Sequence, residues 1–204
     1  LTCAHHGATL VIDAIDPTGT MDSRVYDIVG RVFEKEIHYE KHLKGDMLEE
    51  IGVYYSLKSK FNPQGEEYTN HNSSVNIVKT LVCGHIPCGV TGTFHGLDSY
   101  KVIAAPYLTE DDREDFERIT DYVRRGGKLY ISGGNCRSLL KEFFGASVTG
   151  RTSETISYLS PGKEYESLFG FFNSDYPMHF DASAPIIEFD KRADVIATVT
   201  LPYT

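Results

Sequence analysis

The sequence has no tryptophan and no run of about 18 consecutive apolar residues of the kind that crosses a bilayer as a helix. Cations are scarce. Lys and Arg number 20 against 29 Asp and Glu, a formal net charge of −9. Nucleic-acid binding by phosphate neutralisation needs clustered Lys and Arg, so that class of function is set aside. Cysteine is also sparse, with Cys3, Cys83, Cys88 and Cys136 as its four positions. That is too few for the disulfide framework of a small secreted domain, and a reducing, cytoplasmic compartment is the simpler expectation.

What remains is an ordinary folded composition, 41% hydrophobic and 24% charged. A length of 204 residues suits one large domain, or one domain plus a fragment. The chain opens on Leu1 and runs into Ala8-Thr9-Leu10-Val11-Ile12-Asp13, a buried-strand pattern without the basic start of a signal peptide. Its last residues, Leu201-Pro202-Tyr203-Thr204, follow an apolar run. The expectation is an internal piece of a longer protein.

Residues 8–15 read as a strand, residues 16–20 as a turn, and residues 23–38 as a helix capped by Asp22 or Ser23, with Val25, Ile28, Val29, Val32 and Phe33 on one face. A strand is predicted at 50–56, a polar loop at 57–70, a helix at 74–82 and a short strand at 90–94. Lys101-Val102-Ile103-Ala104-Ala105-Pro106 suits a central parallel strand buried on both faces. Thr109-Glu110-Asp111-Asp112 reads as a capping-box start, and Phe116, Ile119, Tyr122 and Val123 as the apolar face of the helix that follows. Gly126-Gly127 ends that helix, 128–132 is the next strand, and 137–144 is a short helix. This alternation predicts an α/β fold with a mostly parallel, doubly wound sheet. After residue 145 the pattern changes to short strands at 148–149, 155–159, 186–189 and 195–201, with a helical turn at 163–169.

Three stretches together resemble a known family. Tyr100-Lys101-Val102-Ile103-Ala104-Ala105-Pro106-Tyr107-Leu108, then Tyr122-Val123-Arg124-Arg125-Gly126-Gly127-Lys128-Leu129-Tyr130-Ile131, and finally Ala193-Asp194-Val195-Ile196-Ala197-Thr198 are similar to the middle, "trimerisation" domain of glycoside hydrolase family 42 β-galactosidases. That resemblance implies a three-layer, flavodoxin-like or class I glutamine-amidotransferase-like fold over residues 46–204. Residues 7–20 and 25–30 resemble the last strand and helix of a (β/α)8 glycosidase barrel, which implies that residues 1–45 are its remnant. The order, barrel end and then amidotransferase-like domain, is that of multidomain glycosidases.

Several residues carry chemistry-bearing side chains. Glycoside cleavage uses two carboxyl groups, which sit in a barrel at C-terminal strand ends. Asp13 and Asp16 are eligible by position, but the resemblance places the catalytic carboxylates on earlier strands, and Asp commonly shapes turns. His5 and His6 are candidate sugar-lining residues, with ordinary loop histidines as the simpler reading. Cys136 follows the strand at 129–132, and a helix N-terminus lowers a thiol pKa. The Gly-x-Cys-x-Gly elbow of true amidotransferases is absent there, so Cys136 also reads as a plain loop cysteine. Cys83-Gly84-His85-Ile86-Pro87-Cys88 offers three soft ligands with no fourth, short of a zinc site. Tyr54, Tyr55 and Tyr107 stand near strand ends, where an open α/β sheet binds ligands and where tyrosine can stack on a sugar or pack in a core. The acidic run from Glu110 to Glu117 reads as a solvated helix face.

The expected function is that of a non-catalytic accessory or oligomerisation domain of a glycoside hydrolase. Its partners are expected to be a carbohydrate bound through the barrel and further copies of the chain (a dimer or trimer), without cofactor, metal, nucleic acid or membrane. Two alternatives stand beside it: an amidotransferase-like or cysteine hydrolase using Cys136, and a pure binding or oligomerisation module.

Overall fold

The computed structural model describes residues 7–12, 17–60, 69–108, 113–133, 137–190 and 193–202, without the side chains of 69–71. The chain forms two compact units, Leu1–Glu49 and Glu50–Thr204.

In the first unit, α1 spans Ser23–Glu40. Asp22 is its cap: the carboxylate accepts from the Arg24 backbone N at 2.9 Å and holds the Arg24 guanidinium at 2.6 Å. This satisfies one of the N–H groups that a helix start leaves without an intrahelical partner. The apolar residues share a face as their spacing predicts, yet no residue of α1 is buried. Residues 8–12 do not form the expected strand, and 13–15 lie outside the described residues. A strand exists through hydrogen bonds to a neighbouring strand, and among the described residues no strand pairs with this segment. Thr9 Oγ1 instead donates to Glu36 Oε1 at 2.9 Å, tying the segment to α1.

The second unit is built on four parallel strands, β1 (Ile51–Tyr54), β2 (Cys88–Thr91), β3 (Val102–Pro106) and β4 (Lys128–Ser132). Their order across the sheet is β2-β1-β3-β4, the flavodoxin-like arrangement. The register puts Gly52, Tyr54, Ile103, Ala105, Leu129 and Ile131 on one face and Val53, Ala104 and Tyr130 on the other. Three helices flank the sheet: α3 (Thr69–Cys83), α4 (Arg113–Arg124) and α5 (Arg137–Phe144). Ile119 and Tyr122 of α4 and Leu139 of α5 join Tyr54, Ile103 and Ala105 in the main core cluster. α3 packs against β1, β2 and β3 without entering that cluster. Helix, sheet and helix thus make three layers, as the alternating pattern predicts. Ile103 and Ile119 are fully buried, and sealing a side chain of that size from water contributes about 1.5–3 kcal/mol. Close packing also fixes Gly52: a Cβ there would lie 2.7 Å from the Tyr100 ring.

Two helices differ from expectation. A short helix, α2 (Leu57–Lys60), begins where a polar loop was expected. Buried Ser56 nucleates it, with Ser56 Oγ accepting from Ser59 N at 3.0 Å and Ser56 O from Lys60 N at 3.0 Å. α3 starts at Thr69, five residues earlier than its apolar spacing suggests.

Beyond α5 the chain makes two small antiparallel sheets. β5 (Ser147–Arg151) pairs with β8 (Pro185–Glu188) across a bulge between Val148 and Gly150. β6 (Ser157–Pro161) lies between β7 (Met178–Phe180) and β9 (Ala197–Thr200). A 3₁₀ helix occupies Lys163–Leu168. Among the described residues no helix is long and apolar enough to cross a membrane.

Candidate functional site

A doubly wound sheet binds ligands at the C-terminal ends of its strands, where the strand order reverses. Here that point lies between β1 and β3. The residues gathered there are Tyr54, Tyr55 and Ser56 after β1, Thr91 to Thr93 after β2, Pro106 to Leu108 after β3, and Ser132 and Gly133 after β4. Tyr54, Ser56, Pro106 and Leu108 are buried, so this edge is largely closed.

Its closure rests on a buried polar network. The Tyr54 hydroxyl donates to Asp115 Oδ1 on α4, and Thr93 Oγ1 donates to the same oxygen at 3.0 Å. Burial pushes the Tyr54 phenol well above its usual range, and the Asp115 carboxylate beside it pushes in the same direction. One turn along α4, Arg118 donates to three main-chain carbonyls: Thr93 O, Gly92 O at 3.3 Å and His95 O at 2.6 Å. The planar guanidinium fork serves several acceptors at once, and it fastens residues 92–95 to α4.

A second contact closes the other side. Tyr107 has φ +52°, rare for a residue with a side chain, and Gly133 has φ +63°. Tyr107 N donates to Ser132 O at 2.7 Å. A Cβ at Gly133 would stand 2.5 Å from Tyr107 Cδ2. The turn after β4 therefore opens on a left-handed glycine whose Cβ space is filled by the Tyr107 ring. Among the described residues, moreover, β4 is an edge strand rather than a central one.

The sugar-stacking expectation for Tyr54 is corrected: the ring is fully buried, with no face open to a ligand. Tyr55 is half-buried under Lys60 Nζ, 5.6 Å from its ring centre, and Tyr107 is half-buried against Gly133. The acidic run needs a second correction. Asp115 is buried, because it lies four and seven residues before Ile119 and Tyr122 and so shares their inward face. That periodicity was the available signal, hidden by the carboxylate's usual preference for water. Nothing in the sequence points to Thr93 or Arg118. His5, His6, Asp13, Asp16 and Cys136 lie outside the described residues.

Cys83 ends α3, exposed, and Cys88 opens β2, half-buried. The helix closes with Ile86 N donating to Leu81 O at 2.9 Å, and the left-handed residue in that turn is His85 (φ +55°) rather than Gly84. Among the described residues no group of three or more metal-binding side chains occurs.

Searches by sequence find no matching protein family and no matching curated protein. Solved structures do match. An alpha-L-fucosidase (isoenzyme 2) from Paenibacillus thiaminolyticus has a TM-score of 0.77 at 18% identity, covering 100% of this chain and 31% of its own. The fold is that of a segment of glycoside hydrolase structures. A GH42 beta-galactosidase from G. stearothermophilus has a TM-score of 0.66 at 18% identity, over 91% of this chain and 28% of its own. The beta-galactosidase from Bacillus circulans sp. alkalophilus has 0.66 at 14% identity, over 93% and 30%. This chain thus spans about a third or less of the length of these three structures.

Proposed function

We propose that this chain supplies an accessory, non-catalytic α/β domain to a glycoside hydrolase and mediates self-association of that enzyme. Residues 46–204 would be the amidotransferase-like domain, and residues 1–45 the closing β-α unit of the barrel that holds the sugar-cleaving carboxylates. The observation that carries the non-catalytic reading is the Tyr107 ring packed into the Cβ space of Gly133. If the domain is amidotransferase-like, Gly133 is the position that directly follows the strand, and it has neither a side chain nor room for one. The buried Tyr54–Asp115–Thr93 network supports the same reading, because it fills the strand-end region with protein groups bonded to one another.

The test is an aryl-glycoside assay on the 204-residue chain. No turnover is expected. Turnover abolished by Asp13→Asn or Asp16→Asn would overturn the assignment. Thiol labelling at neutral pH separates the rival cysteine hydrolase: Cys136 is expected to react no faster than free cysteine, and a strongly accelerated Cys136 would favour the rival.

A further inference from the structure

Beside the Tyr54 network, two buried polar atoms have no hydrogen-bond partner among the described residues: Thr91 Oγ1 and Arg118 Nε. Thr91 is only 2% exposed. It pairs with Tyr54 across β1 and β2, so the two side chains leave the sheet on the same face, the one that α4 covers. Thr93 reaches that helix too, through its hydroxyl on Asp115. From the helix side, Arg118 holds the two residues that follow Thr91, donating from its terminal nitrogens to Gly92 O and Thr93 O. Its remaining N–H, on Nε, serves neither carbonyl. The two orphaned atoms therefore meet one seam, between the end of β2 and α4, from opposite sides. Keeping such groups away from any partner is costly, and more so for a charged guanidinium than for a hydroxyl.

We propose that this seam is a binding site for one internal water, which accepts from Arg118 Nε and donates to Thr91 Oγ1. The groups around it select the occupant. A guanidinium N–H only donates, so it repels a cation and requires an acceptor. The Asp115 carboxylate, one turn before Arg118 on α4, opposes an anion. A hydroxyl donates or accepts, so a neutral molecule with both capacities satisfies the pair, and water is the smallest. Two polar partners are enough to hold it. The water extends the Tyr54–Asp115–Thr93 network into β2 itself, which is then joined to α4 directly and not only through the loop that follows. Thr120 supplies the contrast. Its Oγ1 is also buried without a partner, but two residues place it about 200° around α4 from Arg118, and a single hydroxyl does not hold a water.

The test is a crystal structure of the 204-residue chain at a resolution that shows ordered water, from crystals grown with and without bromide, beside urea unfolding of Thr91→Val and Thr120→Val. The expected result is a water within about 2.7–3.2 Å of both Thr91 Oγ1 and Arg118 Nε, with no bromide signal in its place. A protein group bonded to either atom, or no water shared by the two, overturns the site, and bromide at that position overturns its neutral occupant. In solution, Thr91→Val keeps the shape of the side chain and removes the hydroxyl. It is expected to lower the ratio of folded to unfolded chain about tenfold, because the water and the guanidinium behind it lose a partner. A hydroxyl that held nothing would give the opposite sign, so a stabilising Thr91→Val overturns the proposal. Thr120→Val is expected to hold or raise stability, and an equal loss there overturns the assignment of the Thr91 loss to a water. The crystallographic readout needs no variant, so it decides alone where Thr91→Val fails to fold.

Discussion

The Tyr54 hydroxyl reaches from the end of β1 to Asp115 on α4, joining residues 61 positions apart in the chain. Tyr54 is at once a core side chain and the donor to a buried carboxylate, so the sheet and the helix are held by packing and by polar bonding through the same residue. Removing only the hydroxyl isolates the second effect. Tyr54→Phe takes one donor from the buried Asp115 carboxylate and is expected to destabilise the fold by about 1–3 kcal/mol. Urea unfolding checks this: the midpoint should fall with the slope unchanged.

The same bond sets an alkaline limit. The folded state holds the Tyr54 proton more tightly than the unfolded chain does, because burial and Asp115 both raise its pKa. The folded state therefore binds more protons than the unfolded state above about pH 10, the ordinary value for tyrosine. Stability from this source is complete below that pH and falls as pH rises through and beyond it. Unfolding free energy against pH should decline less steeply above pH 10 in Tyr54→Phe than in the parent. Equal slopes would show that another group governs the alkaline loss.

At Gly133 two penalties combine. Any side chain there must adopt φ +63° and also displace the Tyr107 ring. A left-handed alanine costs about 1–2 kcal/mol and overpacking about 1–3 kcal/mol more. Gly133→Ala is thus expected to lower the melting temperature, and Gly133→Ala combined with Tyr107→Ala to recover the clash but not the backbone strain. A double variant whose loss equals the sum of the two single losses would refute the contact.

Arg118 offers a local readout. Hydrogen exchange of the peptide containing residues 92–96 should accelerate at least about tenfold in Arg118→Ala, equivalent to about 1.4 kcal/mol of local opening. Arg118→Lys should recover only part of that protection, since an ammonium group cannot span three carbonyls as the guanidinium does.

The sheet and its helices were legible because burial leaves a periodic trace. The small and branched residues of β3, and the Phe116, Ile119, Tyr122 and Val123 spacing of α4, marked both elements and their inward faces. α2 and β7 were not legible for a different reason. Four residues capped by one buried serine, and three residues whose place depends on β6, are too short to show a period. The region at 8–12 carries a strand's composition, but pairing belongs to the neighbour as much as to the segment. In the site, Asp115 had a positional signal that its charge concealed. The Arg118 bonds to residues 92–95 depend on tertiary proximity, and no local rule announces the left-handed backbone of Tyr107.

The two C-terminal sheets bear on how the chain reaches this structure. β5 must wait for β8, more than 30 residues later, and β6 for β9 at a similar distance, with the two pairings interleaved. Neither can zip up from a tight turn, and each closes a long loop before its contacts repay the lost freedom. The parallel sheet and its helices are thus set to collapse first, leaving the segment beyond α5 to dock last. This half of the unit is therefore expected to form last in refolding, and until it does its apolar strands stay unpaired.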